Sequence, residues 1–227
     1  MNPHHHLDAS TLISYASGAL PQALAAVAST HLDACAHCRQ CLREADAVGG
    51  VLLEQQSDAR SDALRCAHLR ASMLTRLDDE PSGGQETPPA AAPASRAMHD
   101  PDALPAPLRP YFGDTFSALR WRWTAPGIHV ARATRACEGS LFMLKIAPGK
   151  SMPVHSHGGS ELTHILRGAY DDALGHFAPG DIADLDRDIQ HQPVTTPGVP
   201  CICVAALDAP LRFPGWIARK LQPLVGL

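Results

Sequence analysis

Apolar side chains recur at helical spacing through the first eighty residues, which are rich in alanine and leucine. The pattern predicts helices over residues 8–18, 21–41 or beyond, 46–56 and 61–78. An aspartate and a glycine bound the first helix, and a proline opens the second, as each residue type favours. The last helix carries an apolar stripe along one face. The N-terminal third of the chain is therefore predicted to be helical.

Beyond residue 104 the pattern changes to short runs in which apolar and polar side chains alternate. Residues 119–124, 140–146, 161–166 and 201–207 read as strands, and Pro-Gly and Gly-Gly pairs mark the turns between them. Many short strands separated by such turns are typical of a closed β-sandwich or barrel.

The predicted helical and strand-rich parts are separated by residues 81–95. This segment has no large apolar side chains and is rich in proline, alanine and serine. Such a composition predicts a flexible, partly extended linker. We therefore expect a helical domain over residues 1–80, a linker over 81–100 and an all-β domain over 101–227. A flexible linker transmits little strain, so we expect the β domain to act on the helical one through the population of its contacts or through its stability.

Composition excludes several classes of function. The chain of 227 residues has a net charge of −4 and only 5% aromatic residues, which argues against direct nucleic-acid binding. It contains neither an apolar run long enough to span a membrane nor the pattern of a signal peptide, so we expect a cytoplasmic protein that does not bind membranes. In a reducing compartment, its seven cysteines favour metal ligation or redox sensing over structural disulfides.

A first group of metal-ligating residue types lies within the second predicted helix. Steps of four and three residues place His31, Cys35 and Cys38 on one face of a continuous helix. Zinc prefers such nitrogen and sulfur ligands in a tetrahedral arrangement, and His6 can supply the fourth. The sequence thus predicts a zinc site that clips a small helical domain together.

Alternative interpretations stay open for parts of this group. The three helical residues can be ordinary core or surface positions, and the run of histidines ending at His6 can be a solvated tail or a remnant of cloning. Cys41 follows Cys38 by three residues, so it can replace a ligand or form a disulfide with one. Its substitution is expected to have a milder effect.

The spacing of His6, His31, Cys35 and Cys38 resembles that of the zinc-binding anti-sigma factors, which bind bacterial extracytoplasmic-function sigma factors. The resemblance implies three helices packed around the zinc ion. It also implies a fourth, loosely attached helix that inserts between the two sigma domains, and residues 61–78 match it in position and apolar stripe.

A second group of metal-ligating residue types lies in the predicted β domain. A glycine, two histidines, a glutamate and a glycine match the first cupin motif at every marked position: Gly149, His155, His157, Glu161 and Gly168. Histidines two apart on a strand face the same side, and the glutamate can fold back after a Gly-Gly turn. A more degenerate second half-motif supplies His191. Three imidazoles and one carboxylate suit Zn, Mn, Fe or Ni, or the barrel has kept these residues without binding a metal.

The order of the parts is similar to that of the ChrR family of anti-sigma factors. The resemblance implies a multidomain α plus β protein, in which a zinc-binding helical anti-sigma domain precedes an all-β cupin (jelly-roll) barrel. It implies that an extracytoplasmic-function sigma factor is sequestered, that the barrel responds to singlet oxygen or organic peroxide, and that both metals are zinc. The alternatives are a metal-dependent cupin dioxygenase or isomerase whose N-terminal helices mediate oligomerisation, and a zinc-storage or scaffold protein.

Overall fold

A computed structural model of the chain describes residues 3–56, 63–78 and 100–212. Helices and a short helical turn make up the N-terminal part and the segment that leads into the sheets: α1 Ala9–Ala16, α2 Gln22–Ala34, α3 Ala36–Glu54, α4 Ala63–Asp78 and α5 Arg109–Phe112. The predicted linker, apart from residue 100, lies outside the described residues. None of the described helices is both long and apolar enough to cross a bilayer.

Strands occupy the C-terminal part of the described chain. In order they are β1 Arg122–Ala125, β2 Ile128–Arg132, β3 Ser140–Ile146, β4 Ser156–His157, β5 Glu161–Arg167, β6 Tyr170–Asp172, β7 Gly175–Phe177, β8 Ile182–Leu185, β9 Val194–Thr195, β10 Cys201–Leu207 and β11 Leu211–Arg212. The main sheet has the order β1-β2-β3-β10-β5-β8, and smaller sheets have the orders β7-β6-β9 and β11-β4. The pairings are antiparallel, as expected for a jelly-roll barrel.

The chain divides into two compact units. One joins Met1–Ala47 with Asp102–Leu227, and the other comprises Val48–Pro101. Within the first unit, the barrel therefore shares its core with helices that the sequence analysis assigned to a separate domain. The domain bounds themselves stay a prediction.

Helix α2 packs on the outer face of the main sheet. Leu24 and Val27 from this helix lie in one buried cluster with Met143, Leu162 and Val204 from the strands. All seven residues of β10 are buried, because α2 covers one face of this central strand and the barrel interior covers the other. Burial on both faces explains why β10 is a continuous apolar run rather than an alternating one.

The predicted second helix is interrupted. Helix α2 ends at Ala34, and Cys35 has an extended backbone with φ −105° and ψ 108°, after which α3 begins at Ala36. The prediction of one continuous helix over residues 21–41 is wrong at this point. Helix α3 continues through the Gly-Gly pair at residues 49–50, so the predicted helix over 46–56 is the C-terminal part of α3.

Two candidate metal centres

The four residues of the first predicted site converge in space. His6 precedes α1, His31 lies in the last turn of α2, and Cys38 lies in the first turn of α3. The ligand atoms of these residues and of Cys35 all lie within 4.8 Å of one another. The imidazole Nε2 of His31 is 3.3 Å from the Cys38 Sγ, and the His6 Nδ1 is 3.3 Å from the Cys35 Sγ.

The helix break at Cys35 makes this convergence possible. In a continuous helix the seven residues from His31 to Cys38 would advance by about 10 Å along the axis, too far for both side chains to reach one ion. The extended backbone at Cys35 turns the chain, so that α3 brings Cys38 back beside His31. The residues grouped by their spacing do converge, but through a break in the helix and not along one face of a continuous helix.

The chemistry of this donor set fits zinc. Two thiols and two imidazoles are the ligands of many tetrahedral structural zinc sites. Burial lowers the pKa of His31 to about 4, so this imidazole is neutral and able to donate a lone pair at neutral pH. Burial also raises the pKa of the Cys38 thiol to about 12, so metal binding has to displace its proton. Cys41 lies outside this group, with its Sγ 3.8 Å from the His37 Nε2.

The second predicted site lies inside the barrel. Imidazole nitrogens of His155, His157 and His191 lie within 4.8 Å of one another, and all three residues are buried. An isolated β-bridge joins His155 to His191 and brings their Nε2 atoms to 3.1 Å. Glu161, at the start of β5, places its Oε2 2.9 Å from the Nε2 of His157. The structure thus brings together the four residues that the two half-motifs predicted.

Neighbouring groups orient these side chains. The Nδ1 of His155 lies 2.8 Å from the Pro153 carbonyl, and the Nδ1 of His191 lies 3.0 Å from the Asp172 Oδ2. Both contacts leave the Nε2 atom directed into the cluster, as metal-ligating histidines require. The Thr163 hydroxyl donates to the Glu161 Oε1 at 2.8 Å. Asp172 is an orienting residue that the sequence analysis missed, because nothing in the cupin spacing marks it.

The electrostatics of the barrel site favour a charged carboxylate among imidazoles. Burial alone would raise the pKa of Glu161, but the hydrogen bond and charge of His157, with the charges of the other two histidines, lower the pKa to about 2. Burial lowers the pKa of His155 in spite of Glu161. Burial alone would also lower the pKa of His157, but its hydrogen bond to Glu161 and the charge of that carboxylate outweigh burial and raise it, so metal binding has to displace its proton. One carboxylate and three imidazoles are a donor set for a divalent ion such as Zn, Mn, Fe or Ni, and these ligand types do not distinguish among the four.

A cavity of about 420 Å³ opens beside the barrel site. Its lining is mixed, with apolar and polar side chains: Val154, Asp171, Asp172, Ala173, Gln190, His191, Gln192 and Val194. His191 therefore belongs both to the imidazole cluster and to the wall of this cavity.

A close backbone contact explains why the last position of the first cupin half-motif is glycine. Gly168 follows β5 with φ +68°, and a Cβ added there would lie 2.5 Å from the Pro200 carbonyl oxygen. The turn after β5 therefore requires glycine, and this turn allows the chain to pair β5 with β10.

Comparisons with known proteins agree with this geometry. The sequence model of the family described as "ChrR Cupin-like domain" matches residues 113–209. The anti-sigma-E factor ChrR of Cereibacter sphaeroides is 39% identical over 223 residues, which are 98% of this chain and 98% of that protein. A crystal structure of Rhodobacter sphaeroides SigE in complex with the anti-sigma ChrR matches with a TM-score of 0.70 and 30% identity. The match covers 92% of this chain and 100% of that one.

Proposed function

The chain belongs to the ChrR family of anti-sigma factors, and we propose that it sequesters an extracytoplasmic-function sigma factor in a zinc-dependent manner. The observation that carries the proposal is the convergence of His6, His31, Cys35 and Cys38 within a chain 39% identical to an anti-sigma factor over nearly its whole length. In this proposal residues 1–80 form the inhibitory domain, 81–100 the linker and 101–227 the sensor, and the protein acts in the cytoplasm.

Zinc has a structural role in this proposal. Three of the four ligands are buried, and they connect α2, α3 and the segment before α1. A structural zinc ion contributes folding free energy directly, because the unfolded chain offers no preformed site. Zinc therefore holds the first three helices in the arrangement that receives the sigma factor.

An exposed apolar surface is suited to that partner. Large apolar side chains at the end of α3 and along α4 are each more than half exposed: Val48, Val51, Leu52, Leu53, Leu64, Leu69, Met73 and Leu74. All belong to the second compact unit. Large apolar side chains exposed along a helix are suited to protein binding, because an amphipathic helix can bind in an apolar groove of its partner. The sigma factor is the occupant that family membership supports.

The barrel is proposed to be the sensor of singlet oxygen or organic peroxide. Its imidazole cluster and the adjoining cavity offer a small oxidised molecule a route to a polar, buried centre. A divalent ion held there by His155, His157, Glu161 and His191, which family resemblance suggests is zinc, supplies a Lewis-acidic position. A molecule bound to this ion would shift the population of contacts between the barrel and the inhibitory helices packed on it, so a barrel that holds the ion poorly would respond less.

A sigma-dependent reporter in cells tests the proposal. With the full chain co-expressed, the reporter should be silent, and singlet oxygen or an organic hydroperoxide should activate it. In cells carrying Glu161→Gln the reporter should stay silent, but oxidant-induced activation should fall by about tenfold, since the variant lacks the anionic ligand. Glu138→Gln makes the same chemical change at an exposed glutamate and should respond as the unsubstituted chain does.

Two results would contradict the proposal. A reporter that remains active beside the unsubstituted chain would exclude sequestration, and an undiminished oxidant response in Glu161→Gln would exclude the barrel site as sensor. Turnover of a diketone or flavonoid by the iron-loaded protein would instead favour the cupin enzyme.

A further inference from the structure

We propose that the barrel completes the N-terminal metal centre: Asp181, with the turn at residues 178–181 and His164, positions the ligands His6 and His31. This inference rests on the proposed binding of zinc at that centre. Asp181 and His164 are positioning residues, since neither belongs to the group of ligand atoms itself. Both lie in the part of the chain assigned to the cupin barrel.

Asp181 anchors the segment that carries His6. One carboxylate oxygen, Oδ1, accepts hydrogen bonds from the backbone N–H groups of His4 at 2.6 Å and His5 at 3.1 Å. The other, Oδ2, accepts from the Ala178 N–H at 2.8 Å. Asp181 is itself 2% exposed, although the His4 end of its hydrogen bond lies at the surface. The carboxylate thereby fixes the backbone of the two residues directly before the ligand.

The ring of His5 adds a second attachment. It stacks on Phe177 with 3.9 Å between ring centroids, and its Nε2 lies 3.0 Å from the His176 carbonyl oxygen. The hydrogen bond of the adjacent His4 to the barrel is donated by its backbone N–H and does not involve its ring. The two neighbouring histidines therefore differ in how their side chains support the attachment.

The turn also fixes the ring of His31. The Gly180 carbonyl lies 2.9 Å from the His31 Nδ1, and it can only accept, so that nitrogen carries the proton. The lone pair is then on Nε2, the atom that lies 3.3 Å from the Cys38 Sγ. Gly180 has φ +100°, a conformation that L side chains rarely adopt, so the turn that presents this carbonyl requires glycine.

His164 supports the same ring from the sheet. Its ring is 5.5 Å from that of His31 at an interplanar angle of 81°, an edge-to-face arrangement, and its Nδ1 lies 3.0 Å from the Asp181 carbonyl. On the same strand, β5, Glu161 belongs to the barrel site. One strand therefore carries residues of both centres.

The contact between His31 Nδ1 and the Gly180 carbonyl has the form of an outer coordination shell, and Asp181 holds the turn that presents this carbonyl. Metal-ligating histidines usually donate their second N–H to a carbonyl or carboxylate, and removal of such partners typically costs 10–100-fold in metal affinity. If the contacts only docked the helices on the barrel, their loss would leave the metal affinity of the centre unchanged. The two interpretations therefore differ in a measurable quantity.

The test uses Co²⁺ as the probe in the full chain. Of the two candidate centres, only the N-terminal one includes thiolates, so a cobalt–thiolate absorption band reports on that centre alone. The dissociation constant for Co²⁺ is measured by competition with a chelator. Asp181→Asn should weaken binding by about tenfold or more, because the amide cannot accept all three N–H groups. Asp114→Asn, at an exposed aspartate, is the matched control and should bind as the unsubstituted chain does.

A second pair of variants keeps the proposal testable if Asp181→Asn does not fold. His5→Ala removes only the ring stacked on Phe177 and should weaken cobalt binding by several-fold, whereas His4→Ala should not. Unchanged affinity in both Asp181→Asn and His5→Ala would overturn the positioning role while leaving the proposed function intact. Absence of the thiolate band from the unsubstituted chain would overturn both.

Discussion

Single side chains decide whether the N-terminal centre can hold a metal ion. Cys38 and Cys41 are three residues, about one turn, apart on α3. Cys38 is nevertheless fully buried in the group of candidate ligands, whereas Cys41 is half-buried outside it. The two thiols form a matched pair within one helix. Comparing them separates ligation from the general effect of losing a cysteine.

Cys38→Ser should remove about one zinc ion per chain, because a serine hydroxyl does not replace a thiolate in a tetrahedral site. It should also lower the melting temperature, since structural zinc contributes on the order of 10 kcal/mol of folding free energy in small zinc domains. Cys41→Ser should keep the zinc content and melting temperature of the unsubstituted chain. Metal analysis and thermal melts check both, and equal zinc content in the two variants would exclude Cys38 as a ligand.

The sequence predicts the candidate ligands better than it predicts the residues that orient them. Regular spacing groups His31 with Cys35 and Cys38, and the cupin motif groups His155 with His157, because ligands close in sequence leave a pattern. Asp172, Asp181 and His164 leave none, since each acts on a residue distant along the chain. Their roles depend on tertiary contacts that no spacing encodes.

The helices arrange the candidate ligands of the N-terminal centre and carry the exposed apolar side chains. Periodicity predicts α1, α4 and the C-terminal part of α3, but it does not predict the break at Cys35. The break lies between alanines that favour helix, so local propensity opposes it. Convergence of the ligands and burial of α2 on the sheet favour it instead, and these are tertiary effects.

The exposed apolar side chains of α4 allow a prediction about binding of the sigma factor. Leu74→Asp should weaken binding of the sigma factor by at least about tenfold, because it places a charge on an apolar contact surface. Ser72→Asp introduces the same charge at an exposed position on a different side of the helix and should have little effect. Calorimetric titration measures both. Equal affinities for the two variants would mean that this side of α4 does not bind the partner.

The whole molecule differs most from what its sequence suggests. A proline- and alanine-rich segment between a helical and a strand-rich pattern predicts separable domains. In the structure, α1, α2 and the start of α3 instead share one compact unit with the barrel. The apolar face of α2 is equally suited to a helical core or to the outer face of a sheet, so its partner could not be identified from the pattern. This packing gives the proposed sensor a direct contact with the inhibitory helices, which a flexible tether alone would not provide.

Zinc-dependent sequestration of a sigma factor is the central claim, and run-off transcription tests it most directly. RNA polymerase with the extracytoplasmic-function sigma factor of the same genome is assayed with the full chain, either zinc-loaded or stripped by a chelator that is then removed. An equimolar amount of the zinc-loaded chain should abolish the transcript, the stripped chain should not, and added zinc should restore inhibition. Undiminished transcription beside the zinc-loaded chain, or equal inhibition by the stripped chain, would contradict the account.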